Sequence, residues 1–347
     1  MKKMSRILAL FIFTIFIAIM IGCSGQKETL HIYTWVDNID EEVIAEFEEK
    51  HGVKITMSYY SSNEEMLAKL QAGGSQYDLI QPSDYMVEIM MELDMLEKLN
   101  KENIPNLANM VSNFQTPPFD PDKEYSIVYT WGVTGIAYNT KYVTDPITSW
   151  NDLWNPKYSG RVVLLNDPRE VIGMGLIKNG FSNSSTKITE LETAVNDLRG
   201  LVPHILAFDT DAIKQKFVDE EAWIGTVWSG DAAFIYEDND SIEFVVPKEG
   251  ATIWADTLAI PKGAKNKELA EKFINYLLEP EVSVKNYESI GYSNPNEKAY
   301  PLHSEEYRSN KMIFIDQADL DRTEWLVDVG DLTGEYDRFW TQLKSGR

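Results

Sequence analysis

Residues 30–80 read LHIYTWVDNIDEEVIAEFEEKHGVKITMSYYSSNEEMLAKLQAGGSQYDLI, and their periodicity decides the fold class. Leu30-His31-Ile32-Tyr33 is a short apolar and aromatic run of strand type. Val43, Ile44 and Phe47 then fall on one face of a helix that His51-Gly52 closes. Lys54 to Tyr60 alternates as a second strand. Ser62 with Glu65 predicts a capping box for a helix carrying Met66, Leu67 and Leu70 and stopped by Gly73-Gly74. Tyr77-Asp78-Leu79-Ile80 makes a third short strand, ended by Pro82. Strand, helix, strand, helix, strand is the pattern of a parallel sheet covered by helices, so the class is α/β.

Downstream, Ser126 to Asn139 is a long extended segment with no helical period, suited to cross from one half of the molecule to another. A second α/β pattern follows. It has a strand at Arg161 to Leu165, helices near Val171 to Asn179 and Thr186 to Leu198, and strands at Phe244-Val245-Val246 and Leu258-Ala259-Ile260. Asn266 to Leu278 is an amphipathic helix with Ala270, Phe273, Ile274 and Leu277 inward. A length of 347 residues suits two domains, and 44% hydrophobic with 25% charged residues supplies a core to each. Two lobes of this class place a ligand between them, beyond the carboxyl ends of the strands.

Upstream, Lys2, Lys3 and Arg6 precede an almost unbroken apolar run from Ile7 to Ile21, then Met20-Ile21-Gly22-Cys23 and polar residues. This is the grammar of a secretory signal, and the run is short for a membrane span. Cys23, the only cysteine, follows Gly22 and resembles a bacterial lipobox cysteine, although Met20 is an uncommon residue at its place in that motif. The expectation is a signal peptide over 1–22 and lipidation at Cys23. The mature chain then has neither a disulfide nor a catalytic thiol.

Thirty-two basic against fifty-five acidic residues give a net charge of −23, and removing the three basic signal residues makes it −26 (29 − 55). Nucleic acid and an anionic membrane face are repelled by such a chain, and a cationic ligand is attracted, although the charge alone fits equally well an acidity that merely keeps a secreted protein soluble. No phosphate-binding glycine loop, GxSxG elbow or HExxH helix is present, and His31, His51, His204 and His303 lack ligand spacing. No metal and no cofactor is expected.

What the sequence does carry is acids and aromatics at the ends of strands. Trp35 and Asp37 follow the first strand, Ser83 and Tyr85 the third, and Asp167 and Glu170 the strand ending at Leu165. Trp228 and Asp231 sit in Trp-Ser-Gly-Asp after the apolar Ile224 to Val227. Trp254 and Asp256 precede another strand, and Tyr292 sits in Ile-Gly-Tyr-Ser-Asn-Pro-Asn. Singly, a tryptophan reads as core and an aspartate as a turn or cap. Jointly they compose a cleft for a diamine. Each ammonium offers three donors and no acceptor, so it needs carboxylates. The methylenes want flat apolar walls, and tryptophan faces attract cations by about 0.5–2 kcal/mol each.

At these segments the chain resembles the spermidine/putrescine-binding proteins of polyamine ABC importers, over nearly all of the mature sequence. The resemblance is carried by Tyr77-Asp78-Leu79 through Pro82-Ser83-Asp84-Tyr85, Ser149-Trp150-Asn151-Asp152-Leu153-Trp154 with Pro156-Lys157-Tyr158-Ser159-Gly160, and Asp167-Pro168-Arg169-Glu170-Val171. It continues in Val246-Pro247-Lys248-Glu249-Gly250 through Trp254-Ala255-Asp256, in Ile290-Gly291-Tyr292 and in Trp325 to Gly330. It implies a two-lobed type II periplasmic-binding-protein fold with the ligand cleft between lobes that exchange chain segments. Residues 23–132 with 255–300 would form one lobe, and 133–254 with 301–347 the other. It also implies roles: Asp256 for one primary amine, Glu170 with Asp167 for the other end or the secondary amine, and Ser83 and Tyr85 for hydrogen bonds to a terminal amine. Trp35, Trp228, Trp254 and Tyr292 would wall the methylene chain. The implied partners are putrescine or spermidine, the permease subunits of the importer and the membrane through the lipid anchor, with the protein a monomer in the periplasm or on the outer face of the cytoplasmic membrane.

Val36 and Asn38 stand where spermidine-type members often carry Thr and Tyr, and Leu326 stands where they often carry glutamine. At Leu326, Asp37 and Asp231 the chain is more similar to putrescine-type members, which inclines the reading to putrescine. Asp37 and Asp231 would hold the second amine of a shorter ligand, unless both are ordinary caps. Two rivals stand beside this reading. A glycoside hydrolase also uses paired carboxylates and a tryptophan-lined cleft. A binding protein for another solute is the second; an anion would want arginines or helix N-termini, and Arg169 is the only arginine among the candidate positions.

Overall fold

The computed structural model describes residues 27–73, 76–111, 114 and 117–346. The proposed signal segment and Cys23 lie outside the described residues. Among the described residues, no helix is long and apolar enough to cross a membrane.

Local chemistry produces the first half as the periodicity predicts. Strand β1 (Thr29–Thr34) leads to helix α1 (Glu41–His51), whose N-cap Asp40 accepts from the backbone of Glu42 and Val43. Gly52 ends α1 at φ 68°, a left-handed conformation that glycine adopts without steric cost. Strand β2 (Lys54–Tyr59) and helix α2 (Asn63–Gln71) follow. The reciprocal box expected at α2 is only half made. Ser62 accepts from the Glu65 amide at 3.2 Å, but the Glu65 carboxylate takes the Ser61 amide at 2.9 Å, one residue further out. Strand β3 (Leu79–Ile80) and helix α3 (Asp84–Glu92) complete the unit, with β2, β1 and β3 parallel.

Strand β4 (Ser126–Asn139) is a single strand of fourteen residues. The second unit then runs through β5 (Val162–Leu164), α4 (Pro168–Lys178), α5 (Ile188–Leu201), β6 (Ile205–Phe208), α6 (Ile213–Val218), β7 (Ile224–Trp228) and α7 (Ser229–Asp238). Strands β8 (Ile242–Val245) and β9 (Ala251–Ala259), helices α8 (Lys267–Leu277) and α9 (Pro280–Ile290), strand β10 (Thr323–Trp325) and helix α10 (Thr333–Lys344) close the chain. Trp254 and Asp256, expected just before a strand, lie inside β9, because that strand begins at Ala251.

The sheet order is β2-β1-β3-β9-β4-β7-β5-β6, with β9 and β4 antiparallel at its centre. Ser126 to Val133 of β4 pair with β9, and Thr134 to Tyr138 pair with β7. Two apolar cores result, one on each side of this seam. Leu30, Phe47, Met90, Tyr129, Leu258 and Phe273 belong to the first, and Val133, Trp150, Val163, Ile172, Leu198 and Val227 to the second. The C-terminal stretch divides between them, since Tyr307, Ile313 and Leu326 pack in the first core and Val329, Tyr336 and Phe339 in the second. The strand ends meet where the two cores face each other.

Candidate functional site

Asp256 sits in the middle of β9, opposite Thr130 of β4, and its backbone also bridges to Ser83 at the entrance to α3. Ser83 occupies the N-cap position but does not cap. Its hydroxyl donates to Asp256 Oδ1 at 2.6 Å and accepts from Asn63 Nδ2 at 2.9 Å. Burial pushes the Asp256 carboxyl up to about 7. Ser83, Thr130 and Trp35 pull against that rise, yet Thr130 Oγ1 and Trp35 Nε1 close no hydrogen bond of good geometry and remain buried without partners.

Asp167 and Glu170 come from the opposite core, on the first turn of α4, where the positive end of the helix dipole favours anions. Asp167 caps the helix, accepting from the amides of Arg169 at 2.8 Å and Glu170 at 3.0 Å. Glu170 Oε1 accepts from Thr134 Oγ1 at 2.9 Å and Trp228 Nε1 at 3.1 Å, while Oε2 is buried with no partner. Burial and the neighbouring Asp167 push Glu170 up to about 8, and burial raises Asp167 as well. Arg169 lies behind them and turns away, donating to the Val327 carbonyl at 2.8 Å and Ser184 at 3.2 Å, with its guanidinium over Tyr85 and Tyr336.

A third acidic group differs from these two. Asp231, on the first turn of α7, accepts the Tyr292 hydroxyl at 2.9 Å. Lys214 of α6 approaches Asp231 to 3.8 Å and Asp37 to 3.3 Å. Burial raises the Asp231 carboxyl, and Lys214 pulls it back down.

Rings wall the space between these acids. The Trp35 and Trp228 centroids are 5.8 Å apart, Trp228 and Trp254 6.1 Å, and Trp254 and Tyr292 5.7 Å, all near edge-to-face. Trp228 packs against both cores. Two glycines make room for this wall. A Cβ on Gly230 would lie 2.3 Å from the Tyr292 ring, and one on Gly132 would lie 2.8 Å from both Trp254 and Ser229 Oγ. The resulting pocket has a cavity volume of about 50 Å³, room for a few waters.

Eleven of the twelve expected positions line this one pocket: Trp35, Ser83, Tyr85, Asp167, Glu170, Trp228, Asp231, Trp254, Asp256, Tyr292 and Leu326. Asp37 does not; its side chain is 68% exposed and reaches the site only through Lys214. Tyr85 turns its hydroxyl away from the slot, to Glu64 Oε1 at 2.9 Å. The lining also includes Tyr60, Asn63, Thr210, Asp211 and Lys214, which the sequence reading passed over. A lysine or asparagine on a helix carries no local sign that it faces a cleft. The Tyr-Tyr-Ser-Ser end of β2 did stand next to the capping residue and offered some signal.

The arrangement can hold a slender ligand with more than one positive charge, and relatives of the chain agree in kind. A spermidine/putrescine-binding periplasmic protein of Escherichia coli is 39% identical over 337 residues, covering 95% of this chain and 97% of its own length. Among solved structures, an ABC transporter protein of Listeria monocytogenes aligns with a TM-score of 0.90 at 35% identity, over 92% of this chain and all of that one. A lipoprotein of Treponema pallidum aligns with a TM-score of 0.82 at 28% identity, over 91% of this chain and 99% of that one. The family model for bacterial extracellular solute-binding proteins matches residues 42–314, most of the described fold and every acid that lines the slot, and the chain belongs to that family.

Proposed function

We propose that this protein captures a polyamine, putrescine or spermidine, outside the cytoplasmic membrane and presents it to the permease subunits of an ABC importer. One observation carries the reading: Asp256 and Glu170 are buried on the two sides of an aromatic slot, and neither forms an ion pair among the described residues. Their carboxyls are held up at about 7 and 8 because ionising them there is costly. An ammonium group relieves that cost, and a chain of methylenes between two ammoniums matches the ring-lined passage between them. An anion would meet acids and has Arg169 turned elsewhere. The ligand named for the Escherichia coli relative supports the same class.

A glycoside hydrolase needs one carboxyl held protonated beside another that stays ionised. Here burial raises Asp167, Glu170, Asp231 and Asp256 together, which suits capture of a cation better. Opening and closing of the two halves around β4 and β9, the strands that join the two cores, would admit and then enclose the ligand. Anchoring through a lipid on Cys23 and action as a monomer complete the reading. The lipobox-like sequence and the lipoprotein relative support the anchor. A Cys23→Ala variant should leave the membrane fraction; a variant that stays there would refute it.

Calorimetric titration of residues 24–347 with putrescine, spermidine, spermine, cadaverine and an acidic amino acid tests the main reading. One-to-one binding of a polyamine with silence for the acid supports it, and no heat with any polyamine refutes it.

A further inference from the structure

Lys214 is the one cation among the described residues lining an otherwise acidic slot. Its placement is the reverse of what affinity alone would favour, because an unpaired Asp231 would attract a ligand ammonium more strongly. Lys214 rises from the short helix α6, with Nζ 3.3 Å from Asp37 Oδ2, 3.8 Å from Asp231 Oδ1 and 5.0 Å from the centroid of the Phe234 ring. Two carboxylates and an aromatic face are the surroundings that a polyamine ammonium requires. The station is continuous with the ring wall: Tyr292 donates to the same Asp231 oxygen at 2.9 Å and packs on Trp254 at 5.7 Å.

We infer that Lys214 is a built-in ammonium that fills a third cation station of the slot and thereby sets which ligand fits. With Asp37 outside the lining and Asp231 engaged by Lys214, the second amine of a shorter ligand falls to Asp167 with Glu170 instead of to Asp37 and Asp231. A diamine thus uses the stations at Asp256 and at Asp167 with Glu170, and leaves Lys214 in place. A triamine has one ammonium more, and it can reach Asp231 only by displacing Lys214. The lysine competes from within the same chain, where its effective concentration is high, and a free ligand must also bear the cost of parting it from two carboxylates. Discrimination thus comes from an occupied site, with no steric block needed. The inference rests on the polyamine reading and deepens it.

Wild type, Lys214→Gln, Lys214→Met and Lys214→Arg are titrated with putrescine and with spermidine at one pH and one salt concentration, after melting curves establish that each is folded. The neutral variants should move the spermidine-to-putrescine affinity ratio toward spermidine by about tenfold or more, ~1.4 kcal/mol. Lys214→Arg, which keeps the charge, should leave the ratio within about threefold of wild type. An unchanged ratio in both neutral variants overturns the inference. That includes the case in which both ligands tighten equally, because a general gain in negative field raises both. A wild type that binds neither amine refutes the polyamine reading itself and removes this inference with it, whereas a wild type that binds with an insensitive ratio sinks the inference alone.

Discussion

Replacing Asp256 with asparagine should abolish tight ligand binding while leaving the fold intact and the empty protein no less stable. Asp256 is 7% exposed, its backbone is held in β9 opposite Thr130, and its side chain accepts from Ser83 at 2.6 Å. Asparagine has the same shape, and its Oδ1 accepts the same Ser83 hydroxyl, so the sheet and its packing persist. What is lost is the charge. A ligand ammonium left in this desolvated station without its carboxylate costs about 3–5 kcal/mol, or about two to three and a half decades of affinity. In the empty protein the same burial acts the other way. The carboxyl is held up at about 7 against an ordinary 3.8, so the folded state binds the proton more tightly than the unfolded state. Stability from this group is therefore full below about pH 4 and is lost as pH rises toward 7, by up to about 4 kcal/mol. Asparagine carries no such burden. The unliganded variant should melt at or above the wild-type temperature at pH 8, and the difference should shrink at pH 5. Calorimetry with putrescine and spermidine, together with melting curves at both pH values, measures both effects. Affinity within about threefold of wild type would place Asp256 outside the ligand contact, and a variant that melts far lower at pH 8 would make the carboxylate structural.

Polyamine affinity should rise between pH 6 and pH 8, because Asp256 at about 7 and Glu170 at about 8 must release protons to meet the ammoniums, with up to about tenfold per pH unit for each group. Titrations in buffers of different ionisation heat would detect the released protons, and a flat profile with no proton release refutes the pairing. In Glu170→Gln the amide oxygen keeps the bonds from Thr134 and Trp228, so the fold should hold while affinity falls by about two to three decades; a loss under about threefold would exclude Glu170 from the site. Gly230→Ala puts a Cβ 2.3 Å from the Tyr292 ring, which must move off its bond to Asp231. That should cost about 1–3 kcal/mol of stability, seen as a lower melting temperature and weaker binding, and an unchanged melt would refute the close fit.

The local elements and the chemical theme of the site were legible in the sequence because both are written in short-range patterns. The 3.6-residue spacing of Val43 and Phe47 and the glycine after His51 define α1, and the Asp-Pro-x-Glu start defines α4 with its two acids on the first turn. Strand ends carrying Trp and Asp pointed to one cleft because ligands in α/β sheets gather there. What only tertiary structure decided are the pairings between distant segments. Ser83 and Asp256 are 173 residues apart, and Lys214 and Asp37 are 177 apart, so no periodicity links them. The register of β4 against β9 places Asp256 inside a strand opposite Thr130, and the packing of α4 against β4 and β7 gives Glu170 Oε1 two donors and leaves Oε2 without a partner. The approach of α6 to the turn after β1 pairs one apparent ligand carboxylate, Asp37, with Lys214, and Asp37 stays outside the lining. Residue types and spacing determine which chemistry the chain can offer. Burial and long-range contact determine which of those charges are already neutralised and which are left for a ligand.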